Sequence, residues 1–364
     1  MTRGFSIYLD ALRFGAAFIV LLSHWAYPRF TDGVYLWIRE LNLGSDAVVV
    51  FFVLSGLVVA YAADQRDKTA GRFAFARITR LLSVAFPALM LCYGLDRIGA
   101  TLWPDAYAGW WYNPIGLGQT LWEGLSFTSQ WGNDLTRIGT NGPYWSLSYE
   151  AAFYVLFGIA LWTKGATRVV ALTAGALLIG PRILILMPAW LMGVAAWHMI
   201  KSGTLPTRKQ STAAICLPPI AYGIALTLQV PDQLTALSAQ VLGLEHTGSF
   251  GFSDEFLWNA VLGVLITVHL LGVSAVARDD VRNLPFIRWL AGGSFSLYLV
   301  HYPLLQFLSP AMGDFGRTAL GYMVLLLTTF IACYLFAEVF ERTLKMQRAG
   351  LKMAVAWVRQ PRVA

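Results

Sequence analysis

The chain has 364 residues, of which 57% are hydrophobic and only 13% charged, about half the charged share of an ordinary soluble domain. Its net charge of +7 is distributed along the sequence rather than gathered into a groove that could track phosphates, which argues against nucleic-acid binding. The three cysteines, Cys92, Cys216 and Cys333, have no pairing or metal-ligand spacing, so no metal site is expected.

Apolar runs recur along the whole length, each long enough to cross about 30 Å of hydrocarbon. They do not alternate as barrel strands do, so the spanning element is the helix and the expected fold is an all-α polytopic membrane bundle. The predicted spans are 8–27, 43–63, 78–98, 143–162, 167–181, 183–200, 211–229, 255–277, 289–308 and 318–341, about ten transmembrane helices. The first could be mistaken for a signal peptide, but Asp10, Arg13 and His24 interrupt it and no small-x-small cleavage site follows. Residues 115–127 are too short and polar to span and read as re-entrant or interfacial, and Gly180-Pro181-Arg182 must make a very tight turn. Residues 1–343 form one membrane-embedded domain, without a visible soluble domain or internal repeat. Residues 344–364 form a basic tail whose segment from Lys345 to Arg362 suits an amphipathic surface helix.

Lys and Arg divide unevenly between the two sides of this arrangement, 20 on one and 6 on the other, with Arg13 inside the first span. Cytoplasmic loops carry the excess, so both termini are expected in the cytoplasm and the location is the inner (cytoplasmic) membrane, multi-pass. Anionic lipid heads and an anionic cytosolic substrate are the expected partners of the basic side.

Ionisable side chains inside a bilayer need a partner or a function. Arg13 and His24, eleven residues apart on the first helix, share a face with about 16 Å of rise between them. In the fourth span Pro143, Tyr144 and Trp145 open the helix, and Ser146 and Glu150 lie four apart on one face. A carboxylate near a histidine makes a sensible dyad, so Glu150 is expected to orient His24. In the ninth span Ser294, Tyr298 and His301 project to one side, and His24, Glu150 and His301 all fall in the outer half of the bilayer. Arg77 and Arg80, at the start of the third span, are placed to grip phosphates. Blander readings stand beside these: topology alone explains Arg77 and Arg80, and His24 suits an interfacial structural histidine. Trp110, Trp111, Trp131 and Trp145 suit an interfacial belt better than a sugar platform. His198, His246 and His269 have no evident partner.

These residues, in this order, resemble the acyltransferase-3 family of multi-pass membrane O-acyltransferases. The likeness rests on Arg13 with His24, on Phe51-Phe52-Val53-Leu54-Ser55-Gly56 and on Arg77-x-x-Arg80. It continues in Trp145-Ser146-Leu147-Ser148-Tyr149-Glu150 and Ser296-Leu297-Tyr298-Leu299-Val300-His301. The chain departs from the pattern where many members carry an acid two positions before the Phe-Phe pair; Val49 stands there, with Asp46 three positions earlier.

The resemblance implies transfer of an acyl group, commonly acetyl, from cytosolic acyl-CoA to a hydroxyl of a carbohydrate acceptor such as an envelope glycan or exopolysaccharide. His24 is the implied catalytic residue, as base or acyl relay, and Arg77 and Arg80 resemble the acyl-donor contacts. Ser296, Tyr298 and His301 are expected to stabilise the oxyanion or position the acceptor. With no esterase-like domain after the tenth span, the membrane part is expected to complete the transfer or pass the acyl group to a separate extracytoplasmic acceptor protein. The alternative from another class is a transporter or flippase, in which the same polar residues would line a pathway; a scaffold using them only for packing is a third reading.

Overall fold

The computed structural model describes residues 1–243 and 250–358, the side chains of 354–358 excepted. Its helices, in chain order, are α1 (Arg3–Trp25), α2 (Leu43–Gln65), α3 (Ala70–Leu102), α4 (Leu117–Ser126), α5 (Trp145–Trp162), α6 (Gly165–Ile179) and α7 (Met187–Ser202). They continue as α8 (Arg208–Thr227), α9 (Val230–Val241), α10 (Phe256–Val276), α11 (Pro285–Ala291), α12 (Ser294–Ala311), α13 (Ala319–Phe340) and α14 (Leu344–Val358). Local chemistry sets several starts. Thr2, Thr69 and Thr318 cap α1, α3 and α13 through their side chains, and Thr207 with Gln210 forms a capping box on α8.

Among the described residues, six stretches are long and apolar enough to cross a bilayer: Arg3–Trp25, Leu43–Gln65, Ala70–Leu102, Pro181–Ser202, Phe256–Val276 and Ala319–Met353. A seventh is bent by 74° between α8 and α9. The chain is therefore a multi-pass membrane protein, and the difference from ten has a physical origin. Helices α5 and α12, 18 residues each, bury Ser146 and Ser148 in one case and Ser294, Ser296, His301 and Gln306 in the other. Their polarity belongs to the interior of the bundle rather than to its lipid face. Helix α6 has only 15 residues, and the predicted span 289–308 is broken at Gly292-Gly293 into α11 and α12.

The predicted tight turn occurs at Gly180, whose φ of +87° an L side chain rarely adopts. The segment read as re-entrant or interfacial forms α4, packed on α3. Helix α9 begins at Val230-Pro231, beyond the predicted span 211–229, with proline in the first turn where its missing N–H costs nothing.

Helix α12 is the axis of the bundle, buried almost continuously from Ser294 to Gln306 and packed on α1, α3 and α13. On the other side of α1 lies α2, whose closest neighbour is α7. A Cβ on Gly56 would sit 2.0 Å from the carbonyl oxygen of Trp190, and one on Gly193 would sit 1.9 Å from that of Val53. These reciprocal glycines let the two backbones touch. Helix α3, with 33 residues, runs for about 50 Å, well beyond the hydrocarbon thickness, and its N-terminal extension carries Arg72, Arg77 and Arg80.

The loops separate into two ends. At one, Arg3 N bonds Asp279, Lys201 pairs with Asp64 at 2.6 Å, Arg80 pairs with Glu341 at 2.9 Å, and Arg348 of α14 donates to Ala76 O and Thr79 Oγ1. At the other, Arg317 pairs with Asp32, Arg182 donates to Asp134 O, Arg97 to Ile115 O and Gln306 to Ala106 O. This is the same division that the uneven cation count drew.

Candidate active site

A cavity of about 460 Å³ penetrates the bundle from the basic end between α1, α2, α3, α5 and α12. Arg13, Arg66, Arg77, Arg80 and Arg348 line its wide part; Phe51, Ser146, Glu150 and Tyr298 line its depth. The arginines are held by acids: Arg13 by Asp10, Arg77 by Asp67 and Arg80 by Glu341, each at 2.9 Å. The Nε atoms of Arg13 and Arg77 are buried without a hydrogen-bond partner. Glu341 also accepts from Ser296 N at 2.8 Å, which ties the start of α12 to the third helix through Arg80.

In the depth of the cavity, Ser146 Oγ and Tyr298 Oη lie 2.7 Å apart, and both reach the carbonyl oxygen of Pro143. One helical turn further along α12 is His301, fully buried. Its Nε2 lies 2.8 Å from His24 Nδ1, and its Nδ1 lies 2.8 Å from Leu297 O. These two contacts define the protons of the neutral pair. A carbonyl only accepts, so His301 Nδ1 carries hydrogen and His301 Nε2 is a lone pair. His24 must then donate from Nδ1, which leaves His24 Nε2 as the unprotonated atom of the pair. His24 Nε2 makes no hydrogen bond with any described residue. Its ring stacks on Tyr27 at 6.0 Å and meets the edge of Tyr302 at 4.9 Å. Trp25, donating to Tyr322 O on α13, pins the end of α1 in this orientation.

Glu150 does not reach this pair as expected. Its carboxylate accepts from Ser55 Oγ at 2.8 Å and from Tyr154 Oη, and Trp190 Nε1 donates to the same serine at 3.2 Å. The histidine is oriented by a second histidine, because α12 rather than α5 packs directly on α1. Arg13, Arg77, Arg80, Ser146, Glu150 and Tyr298 share the cavity, whereas His24, His301, Trp145 and Ser296 do not line it. Trp145 stacks on Phe252 at 4.2 Å, and Ser296 is buried with its Oγ unpartnered. Sequence reasoning named Ser55 only as part of the Phe51–Gly56 run, without a role, and missed Tyr154, Asp67 and Glu341. Only Tyr154 carried a signal, standing four residues after Glu150 on the same helix face.

The remaining residues of interest fall elsewhere. His269 bonds Tyr8 Oη and Ile215 O, a packing role between α1, α8 and α10. Asp46, the acid nearest the Phe-Phe pair, is buried and held by Tyr222 at 2.6 Å and Trp258 at 2.7 Å. His198 lies near the basic end of α7, and His246 lies outside the described residues.

A helical membrane bundle with an arginine-lined cavity that ends one helical turn from a buried histidine pair suits an integral membrane group-transfer enzyme. The chain belongs to the acyltransferase-3 family: that family's model, described as an acyltransferase domain, matches residues 6–338. The protein is accordingly an O-acyltransferase. It is similar to "Acyltransferase MdmB" of Streptomyces mycarofaciens, 26% identical over 359 residues that cover 86% of this chain and 81% of the relative. It is also similar to "Exopolysaccharide production protein ExoZ" of Rhizobium meliloti (strain 1021), 25% identical over 277 residues covering 72% and 77%. No solved structure matches it.

Proposed function

We propose that the protein transfers an acyl group, acetyl foremost, from acyl-CoA entering at the basic end to a hydroxyl of a carbohydrate acceptor arriving from the opposite side. The basic end is cytoplasmic in this reading, and the membrane is the inner one. The observation that carries it is the continuity of one cavity from Arg66, Arg77 and Arg80 to Ser146 and Tyr298, one turn below the His24–His301 pair. Arg77, Arg80 and Arg348 suit the phosphates of coenzyme A, and the Arg13 track suits the arm that brings the thioester inward.

His24 Nε2 then takes the proton of the acceptor hydroxyl as its oxygen bonds to the thioester carbonyl carbon. The carbon–sulfur bond breaks, and the departing thiolate is protonated by the imidazolium. His301 Nε2 accepts from His24 Nδ1 throughout, so it does for His24 what a carboxylate does in a Ser-His-Asp triad. Tyr298 Oη and Ser146 Oγ are the nearest hydroxyls to the end of the cavity and suit the developing oxyanion. Glu150, Ser55 and Tyr154 form a polar wall along the donor path. A carbohydrate acceptor is favoured by the name of the ExoZ relative, which concerns exopolysaccharide production. Passing the acyl group to a separate extracytoplasmic protein is the second route.

The test follows labelled acetyl from acetyl-CoA into lipid-linked and polymeric glycans in membranes carrying the native protein or His24→Ala at equal abundance. Base-labile label present with the native protein and absent with the variant is the expected result. Equal label in both would remove His24 from the mechanism.

A further inference from the structure

Six of the 27 Lys and Arg residues belong to the end of the bundle beyond His24. Arg97 and Arg182 donate to backbone carbonyls and Arg317 pairs with Asp32. The other three, Arg29, Arg39 and Arg137, converge on the histidine pocket: Arg29 donates to Gln306 Oε1 and Tyr302 Oη and Arg39 to Ser23 O, and none of the three forms an ion pair with a described residue. Arg39 lies 3.8 Å and Arg29 4.2 Å from the centre of the Tyr27 ring, which itself stacks on His24. Arg29 also lies over Trp111, and Arg137 over Trp110 at 5.2 Å. Burial first, and the Arg137 charge in addition, lower the proton affinity of the Arg29 guanidinium. Membrane topology does not require cations at this end, and gathering three without a counter-charge is unfavourable until an anion arrives.

A second feature adjoins them. Arg137 also lines a cleft of about 70 Å³ with Gln130, Asn141, Trp145 and Phe252. Gln130 and Asn141 are 2% and 1% exposed, and their Oε1 and Oδ1 atoms have no partner. Their amide nitrogens are already used, donating to Thr136 O and Leu299 O, so the orphaned atoms are acceptors that call for hydroxyl donors. Asn141 is thereby fastened to α12 two residues before His301. Arg137 reaches over Gly142 toward Tyr302: a Cβ on that glycine would lie 2.7 Å from Arg137 Nη1 and 3.9 Å from Tyr302 Cζ.

We propose that this end is the acceptor subsite and that the acceptor is an anionic glycan, its carboxylate or phosphate held by Arg29, Arg39 and Arg137 and its hydroxyls by Gln130 and Asn141. The word acceptor rests on the function proposed above; the binding of an anionic sugar does not. Trp145 and Phe252 supply an apolar wall on which a sugar ring packs.

The experiment titrates the full-length protein in lipid nanodiscs, without acyl donor, with digalacturonate, its dimethyl ester and glucose 1-phosphate by isothermal titration calorimetry. One of the two anions is expected to bind at least about tenfold more tightly than the ester, with the preference weakening as salt rises. The preference should shrink to about threefold or less in Arg29→Gln and Arg137→Gln and persist in Arg137→Lys, all three variants eluting as single species. Stronger binding of digalacturonate assigns the charge to a uronate, and stronger binding of glucose 1-phosphate assigns it to a phosphate such as that of a lipid-linked precursor. Neither anion binding more tightly than the ester, survival of the preference in both Gln variants, or no binding of any probe would each overturn the inference. Because no turnover is involved, anion binding without acetyl incorporation in the membrane assay would reject the enzyme's proposed reaction alone. Incorporation without anion binding would reject this subsite alone.

Discussion

The chain of contacts from Leu297 O through His301 to His24 leaves His24 Nε2 as the unprotonated nitrogen of the neutral pair, and in the proposed reaction it makes His301 a positioning residue. Replacing His24 with Ala should lower acetyl transfer on the order of 10²–10⁴-fold. His301→Gln removes the fixed acceptor opposite His24 Nδ1, and it should lower kcat by about 10- to 100-fold while leaving the acetyl-CoA KM near its native value. A structural role alone would instead lower the yield of folded protein at unchanged kcat. Glu150 offers the contrast. Its partners are Ser55 and Tyr154 rather than the histidine pair, so Glu150→Gln should cost less than about tenfold in kcat and appear mainly in the donor KM. A loss from Glu150→Gln as deep as that from His24→Ala would show that the carboxylate acts on the imidazole after all.

Among the helices, the contact between α2 and α7 is the one that tolerates least. Gly56 and Gly193 each face a backbone carbonyl of the other helix across a space without room for a methyl group. Either residue changed to Ala should push the helices apart, at a cost of about 1–3 kcal/mol, read as a fall in the melting temperature in detergent. Since Ser55 and Trp190 lie in the same contact, the Glu150 network should loosen with it. The start of α12 is held differently, by Glu341, which is buried and joins Arg80 to Ser296 N. Glu341→Gln and Arg80→Gln, combined in a double-mutant cycle, should show a coupling of about 0.5–3 kcal/mol. Independent effects would mean that the 2.9 Å pair is a crossing of side chains without energetic consequence.

For the whole molecule the governing feature is polarity from end to end. Cationic loops and the arginine-lined cavity occupy one end, while the histidine pocket, the aromatic rings and Arg29, Arg39 and Arg137 occupy the other. With Cys216 removed, cysteines placed at the exposed positions Asp280 and Asp105 should react with a membrane-impermeant maleimide from opposite faces, position 280 only in inverted vesicles and position 105 only in intact cells. Reaction of both from one face would refute the two-ended topology and with it the separate entry of donor and acceptor.

Composition and spacing alone determined that the chain is a helical membrane protein, that its cations divide between two ends, and that Arg13, His24, Glu150 and His301 are ionisable side chains set within apolar helices. Those properties are local: hydrophobic run length, charge count and helical face follow from order along the chain. Which histidine partners which acid or base was decided only by packing, because α1 lies against α12 whereas Glu150 on α5 turns toward Ser55 of α2 and Trp190 of α7. The break at Gly292-Gly293, the bend between α8 and α9 and the buried polarity of α5 and α12 likewise follow from contacts between segments distant in sequence. A polar residue in an apolar run signals that a partner exists, but the partner's identity depends on the tertiary structure, since residues more than 270 positions apart meet in the His24–His301 pair.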